Sequence, residues 1–239
     1  MNRKIFVNLV ASIILIVVLS GVVLVTIGGG NVSAFNTVDD VYYKSEAGKN
    51  KVSLAVNIYW GTEYLDDMLD ILDKYDNVRV TFFIGGMWAA ENNELILRIA
   101  ESGNEIANHG YFHKDHKKIS YEQNKEEILK TEKVIEGICG RKTQLFMPPS
   151  GSYGNNTLKA CKELGYRVIM WSKDTIDWRD KDSDLIFKRA TDNVKAGDFI
   201  LMHPTEQTLL AFEKIILYHI NNGFELVTVS ENLNAESIT

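Results

Sequence analysis

The chain has few cysteines, no excess of basic charge and no glycine fingerprint, and each shortage removes a class of function. Two cysteines, Cys139 and Cys161, occur in 239 residues. Neither stands in a CxxC pattern, which argues against a redox motif or a zinc finger. An external location would permit a disulfide between them, and two free buried thiols fit the spacing equally well. Lysine and arginine number 26 against 32 aspartates and glutamates, for a formal net charge of −6. With no basic stripe, this excludes a nucleic-acid surface. No phosphate-cradling glycine pattern follows the first strand-like segment, which argues against nucleotide binding. Gly110 follows His109 where an HExxH protease needs glutamate.

What remains is ordinary globular composition, 45% hydrophobic and 24% charged, enough for one large domain with an appendage. The appendage is N-terminal. Ile5 to Ile27 carries no charge and follows Arg3 and Lys4. It is long enough to cross a hydrocarbon core of roughly 30 Å as a helix. Positive residues stay on the cytoplasmic side, so the expectation is a single-pass cell-membrane protein with its domain outside. The alternative is secretion after cleavage near Val32-Ser33-Ala34. The expected organisation is an anchor over 1–27, a Gly/Asn/Ser/Asp-rich linker over 28–50, one domain over 51–232 and a tail over 233–239.

Within the domain, short apolar strands alternate with amphipathic stretches. The strand candidates are 52–58, 78–84, 104–109, 144–147, 166–172, 198–203 and 224–229. Helical patterns lie at 64–75, 94–103, 121–138, 156–165, 184–194 and 209–220, and Gly103, Gly165 and Gly223 are placed as left-handed caps. The alternation predicts parallel βαβ units and a distorted (β/α) barrel of about seven strands. A doubly wound open sheet is the alternative.

In such folds the site gathers at the carboxyl ends of the strands. Those ends carry Asn57, then His109 and His113 in EIANHGYFH, then Pro148-Pro149 in MPPSG. Asp174, Asp177 and Trp178 follow in DTIDW, and His203 in ILMHP. Two imidazoles four residues apart at a strand mouth are suited to a divalent metal, zinc foremost. His116 is a candidate third imidazole, although a surface place in the polar run KDHKK is the plainer reading, and His219 sits in a helical pattern with no evident role.

This order of motifs resembles the NodB-homology polysaccharide deacetylases, the family-four carbohydrate esterases, over residues 51 to about 232. The resemblance implies hydrolysis of the N-acetyl group of a glycan, peptidoglycan or a chitin-like oligomer, by a metal-bound water. On this resemblance His109 and His113 are the metal ligands and His203 the general acid. Asp177 is the carboxylate that orients His203. Pro148, Pro149, Tyr153 and Trp178 match the walls around acetyl group and sugar, and Trp60 offers an aromatic plane for a sugar face.

The chain departs from the family at the other half of the machinery. Where the family has adjacent base and metal carboxylates, this sequence reads AVNIYWG, with Asn57 in the base position and Ile58 in the ligand position. The ending is similar to a sporulation-associated subgroup, which keeps the first Asp. Met147 replaces the arginine that pairs with the base. An arginine facing an uncharged amide would be an unpaired buried charge, so the losses are mutually consistent. An amide cannot abstract a proton at neutral pH. Two functions therefore stand. One is a membrane-tethered deacetylase, with the metal weakly held or absent for want of its carboxylate. The other is a catalytically degenerate glycan-binding module of the same fold.

Overall fold

The computed structural model of the protein describes residues 41–46 and 49–234. The predicted anchor, most of the linker and the end of the tail lie outside them. Among the described residues no helix is long and apolar enough to cross a membrane.

The domain is a curled sheet of parallel strands backed by helices. Its strands are β1 (Val41–Tyr42), β2 (Lys51–Ile58), β3 (Thr81–Ile84), β4 (Glu105–Asn108), β5 (Leu145–Phe146), β6 (Arg167–Ile169), β7 (Lys173–Asp174), β8 (Phe199–Met202) and β9 (Glu225–Leu226). Their order is β1-β6-β5-β4-β3-β2-β8-β7, with β9 paired to the start of β2. Every named pair is parallel.

The period-2 alternation of β2 explains the layering. Val52, Leu54, Val56 and Ile58 join the large apolar cluster with Leu65, Met68, Ile96, Phe212 and Ile215 of the outer helices. Ala55 faces the other way, in a second cluster with Phe83, Ala107, Met147, Ile169 and Leu201 from the remaining strands. Asn57 shares the parity of Ala55 and so stands at the carboxyl end of the inner face. Ile58, one residue on, is fully buried in the outer cluster.

The predicted helices form at Leu65–Leu72, Asn93–Glu101, Tyr121–Cys139, Asn155–Leu164, Ser183–Thr191 and Glu206–Asn221. Gly103, Gly165 and Gly223 adopt φ of +79°, +75° and +80° where those helices end.

Four local readings are corrected. The stretch 166–172 is not one strand. Only Arg167–Ile169 of it forms a strand, β6, which pairs with β5, and β7 follows just beyond it and pairs with β8 at the other end of the sheet. The stretch 224–229 keeps only two strand residues. Thr228 and Glu231 form a reciprocal capping box that starts a helix at Val229. A short helix, Gly86–Glu91, was not expected. Residues 41–46, assigned to the linker, belong to the domain. Val41 and Tyr42 pair with β6, Lys44 bridges Asp198, and the Ser45 N–H donates to Gly197 O at 2.8 Å. Cys139 and Cys161 are both free thiols, and burial pushes Cys161 up to about 12.

Candidate active site

At the carboxyl ends of the strands lies a cavity of about 370 Å³, lined by Asn57, Trp60, His109, His113, Ser150, Trp171, Asp174, Trp178, Leu201 and His203. The volume suits a small ligand or one sugar unit. Of the residues that the sequence places at the strand ends it gathers Asn57, Trp60, His109, His113, Asp174, Trp178 and His203.

His109 follows β4 directly. Its Nδ1 lies 2.7 Å from Met147 O, which fixes the Nδ1–H tautomer and leaves Nε2 bare. Burial lowers its pKa to about 3, so the ring is neutral. The segment to His113 turns through left-handed backbone, with φ +74° at Gly110 and +53° at His113. A buried carboxylate sets that turn. Glu127 Oε2 accepts from Tyr111 N at 2.9 Å and Phe112 N at 2.7 Å, while Oε1 lies 2.9 Å from Lys114 Nζ. The His109 and His113 rings meet edge-on with centroids 5.3 Å apart, and Tyr59 packs on His113 at 4.9 Å. Burial lowers the pKa of His113 as well.

On the opposite wall His203 follows β8. Its Nδ1–H donates to Asp177 Oδ1 at 2.8 Å, and its backbone N–H donates to Asp177 Oδ2 at 2.6 Å. Thr208 Oγ1 donates to the same Oδ2 at 2.7 Å. Asp177 thus stands behind His203 rather than in the cavity, with its side chain fully shielded from solvent. Trp60 stacks on the His203 ring, 5.6 Å centroid to centroid and 6° from parallel.

Asn57 completes the floor. It is 5% exposed, and its Oδ1 has no hydrogen-bond partner. Ile58 is turned away into the outer core, and the Met147 side chain is buried in the inner cluster.

This donor set falls short of the metal that the motif implies. Two imidazoles face each other, but the third position is apolar and points elsewhere. Among the described residues no three ligating side chains come together. Catalytic zinc sites use three protein ligands plus water, so these residues do not make that site.

Several sequence-selected residues lie off the cavity. Pro148 and Pro149 are buried and do not line it. They hold the turn that presents Ser150, at φ +55°, to the pocket. Tyr153 hydrogen-bonds to Tyr43, with the two hydroxyls 3.0 Å apart. His116 is neither a third ligand nor a surface residue. It is fully buried against Phe146, with Nδ1 2.6 Å from Asn124 Oδ1. His219 is buried in its helix, away from the pocket. The sequence reasoning placed Asp174 at a strand end without giving it a role, and it overlooked Ser150 and Trp171. Trp171 stands between β6 and β7 and lines the cavity there.

Fold and pocket together define a parallel α/β half-barrel whose strand ends gather histidines, a carboxylate and three indoles around a sugar-sized cavity. Residues 44–169 match the family model for polysaccharide deacetylase, and the chain belongs to that family. It is 38% identical over 189 residues to the uncharacterized protein YlxY of Bacillus subtilis, covering 79% of this chain and 59% of the length of YlxY. It is 30% identical over 207 residues to a peptidoglycan-N-acetylglucosamine deacetylase of Bacillus cereus, covering 84% of this chain and 75% of that protein. Among solved structures it is similar to BA3943 of Bacillus anthracis, described as a pseudoenzyme of carbohydrate esterase family four. The TM-score is 0.78 at 33% identity, covering 82% of this chain and 69% of the other. A BA3943 mutant with restored enzymatic activity matches with the same TM-score and identity, over 82% of this chain and 71% of that one.

Proposed function

We propose that this domain binds a cell-wall glycan without deacetylating it, keeping the family's pocket after losing half of its chemistry. The observation that carries this reading is the state of the strand end at 57–58. The base position holds an amide, and the metal-carboxylate position holds an isoleucine packed into the outer core. Neither can activate a water. The similarity to a family-four pseudoenzyme agrees with this reading. The rim keeps what sugar binding needs, with Trp60 and Trp178 exposed beside the cavity, where indole faces stack on pyranose rings.

In this reading His203, with Asp177 and Thr208 behind it, is a rigid polar wall that hydrogen-bonds the sugar. His109 and His113 form the opposite wall. Peptidoglycan is the first candidate ligand and a chitin-like oligomer the second. The apolar run Ile5–Ile27 would hold the domain on the outer face of the cell membrane, where that polymer lies.

A second reading, residual deacetylation, is favoured by one observation, the intact His203–Asp177 unit. One experiment separates the two. Acetate release is measured from peptidoglycan and from N-acetylglucosamine oligomers, with and without added zinc, alongside sedimentation with peptidoglycan. Binding without release supports the binding module. Zinc-dependent release that disappears in His109→Ala overturns it and demands a replacement base.

A further inference from the structure

We propose that the pocket selects a glycan unit carrying a free ammonium, an amino sugar stripped of its acetyl group. The inference rests on the glycan-binding reading above and specifies its ligand.

Its first ground is a carboxylate without an ion-pair partner. Asp174 lines the cavity, and no lysine or arginine lines it. One Asp174 oxygen accepts from Ile176 N at 2.8 Å. Among the described residues no cation forms an ion pair with this carboxylate. Arg179 is nearby in sequence but engaged. Its Nε and Nη2 donate to Asp180 at 2.8 and 3.0 Å, and its guanidinium sits over Trp178 at 5.9 Å. Arg189 closes the same Asp180 carboxylate at 2.6 Å. Arg179 is within Coulombic reach of Asp174 but gives its hydrogen bonds to Asp180, so no cation contacts the Asp174 carboxylate directly and it remains open to a ligand.

The second ground is the unpartnered Asn57 Oδ1, a buried acceptor in the floor of the same cavity. A buried acceptor calls for a donor. His109 offers another, its Nε2, because Nδ1–H is committed to Met147 O. The third ground is the three indoles, Trp60, Trp171 and Trp178, around one cavity. Indole faces attract cations as well as sugar rings.

The sum is acceptors, one unpaired negative charge and aromatic faces. An ammonium supplies three donors and a positive charge to that set. An acetamide supplies one donor and a carbonyl acceptor and carries no charge, so it satisfies less of it. Hydrolysis of acetamide groups is the reaction class that generates this ligand. The protein would thus recognise glycan on which that reaction has already occurred.

The test is calorimetric titration of the full-length protein in mildly acidic buffer at physiological ionic strength. The probes are a glucosamine tetramer, its fully N-acetylated counterpart and tetralysine. The glucosamine tetramer is expected to bind at least about tenfold more tightly than the acetylated one, the scale of one desolvated cation–π or charged contact. In Asp174→Asn that ratio should collapse toward one. Trp178→Ala, at an exposed site, gives a second variant that should reduce it. Equal or tighter binding of the acetylated tetramer overturns the inference and leaves the glycan-binding reading in place. Tetralysine binding as tightly as the glucosamine tetramer also overturns it, by showing attraction to an acidic surface. If neither sugar binds, the inference falls, and sedimentation with peptidoglycan then decides whether the wider reading falls with it.

Discussion

On one side of the pocket the Asp177 carboxylate accepts three hydrogen bonds, two from His203 and one from Thr208. On the other the Asn57 amide oxygen, also buried, accepts none. A fully satisfied polar unit holds its geometry whatever the ligand. An orphaned acceptor is tolerated where a ligand or water fills it. The difference teaches that the His203 wall is structural as well as chemical, so its survival is weak evidence for turnover. The Asn57 floor carries the functional information.

The comparison breaks most sharply at Asp177. Asp177→Ala strands three donors, one of them a backbone N–H, and should destabilise the fold by roughly 3–5 kcal/mol. Urea denaturation measures this, and a loss below about 1 kcal/mol would contradict the structural role assigned to that wall.

Acid should strike the opposite wall next. Burial holds His109 down to about 3 and His219 to about 4, so the native state resists protonation that the unfolded chain accepts. Their contribution is intact above an unfolded pKa near 6.5 and is lost as pH falls toward the folded values. By about pH 4.5 His109 alone accounts for a loss on the order of 3 kcal/mol. Glu105, raised by burial, works in the opposite sense over the acidic range. Urea midpoints across this range should fall for the wild type and fall less for His109→Gln. Equal slopes would mean the imidazole is not held neutral.

Asn57→Asp sharpens the comparison further, by placing a carboxyl where no arginine waits. A loss of roughly 1–3 kcal/mol at neutral pH is expected. Because burial raises the introduced group, the loss appears above about pH 4 and is relieved on acidification. Met147→Arg made together with it should cost less than the two losses added, with a coupling of about 1–3 kcal/mol. Strict additivity in the double-mutant cycle would show that positions 57 and 147 do not meet. The smallest effect on stability belongs to Trp178→Ala. At 57% exposure it should change unfolding free energy by no more than about 0.5 kcal/mol while weakening glycan binding.

Much of this was legible in the chain. Strand and helix alternation gave the parallel fold, because the hydrophobic period survives whatever the site does. His109 and His113 could be paired because four residues of one loop separate them. Asp174 was legible as a strand-end residue, whereas Trp171 was hidden because its role depends on the chain passing from one strand's partner to another's, a tertiary event without a local pattern. His116 looked like a surface residue because its neighbours are charged. It is buried against Phe146 and held by Asn124 in the first turn of the following helix, which also donates to His116 O at 3.2 Å. The helix at Val229 was readable, since Thr228 and Glu231 carry the S/T-x-x-E spacing, but the apolar run in front of it concealed the start.

The division of the 166–174 stretch has a mechanical consequence. Met170–Ser172 is the seam through which one stretch of backbone reaches both ends of the sheet. The seam is tacked by Met170 N to Tyr42 O at 2.8 Å and Ser172 N to Phe199 O at 3.1 Å. Trp171, between those two tacks, lines the cavity. A molecule lodged there acts as a brace across the joint, so occupancy should register as slower amide exchange at Met170 and Ser172, a signal of binding that needs no chemistry to be performed.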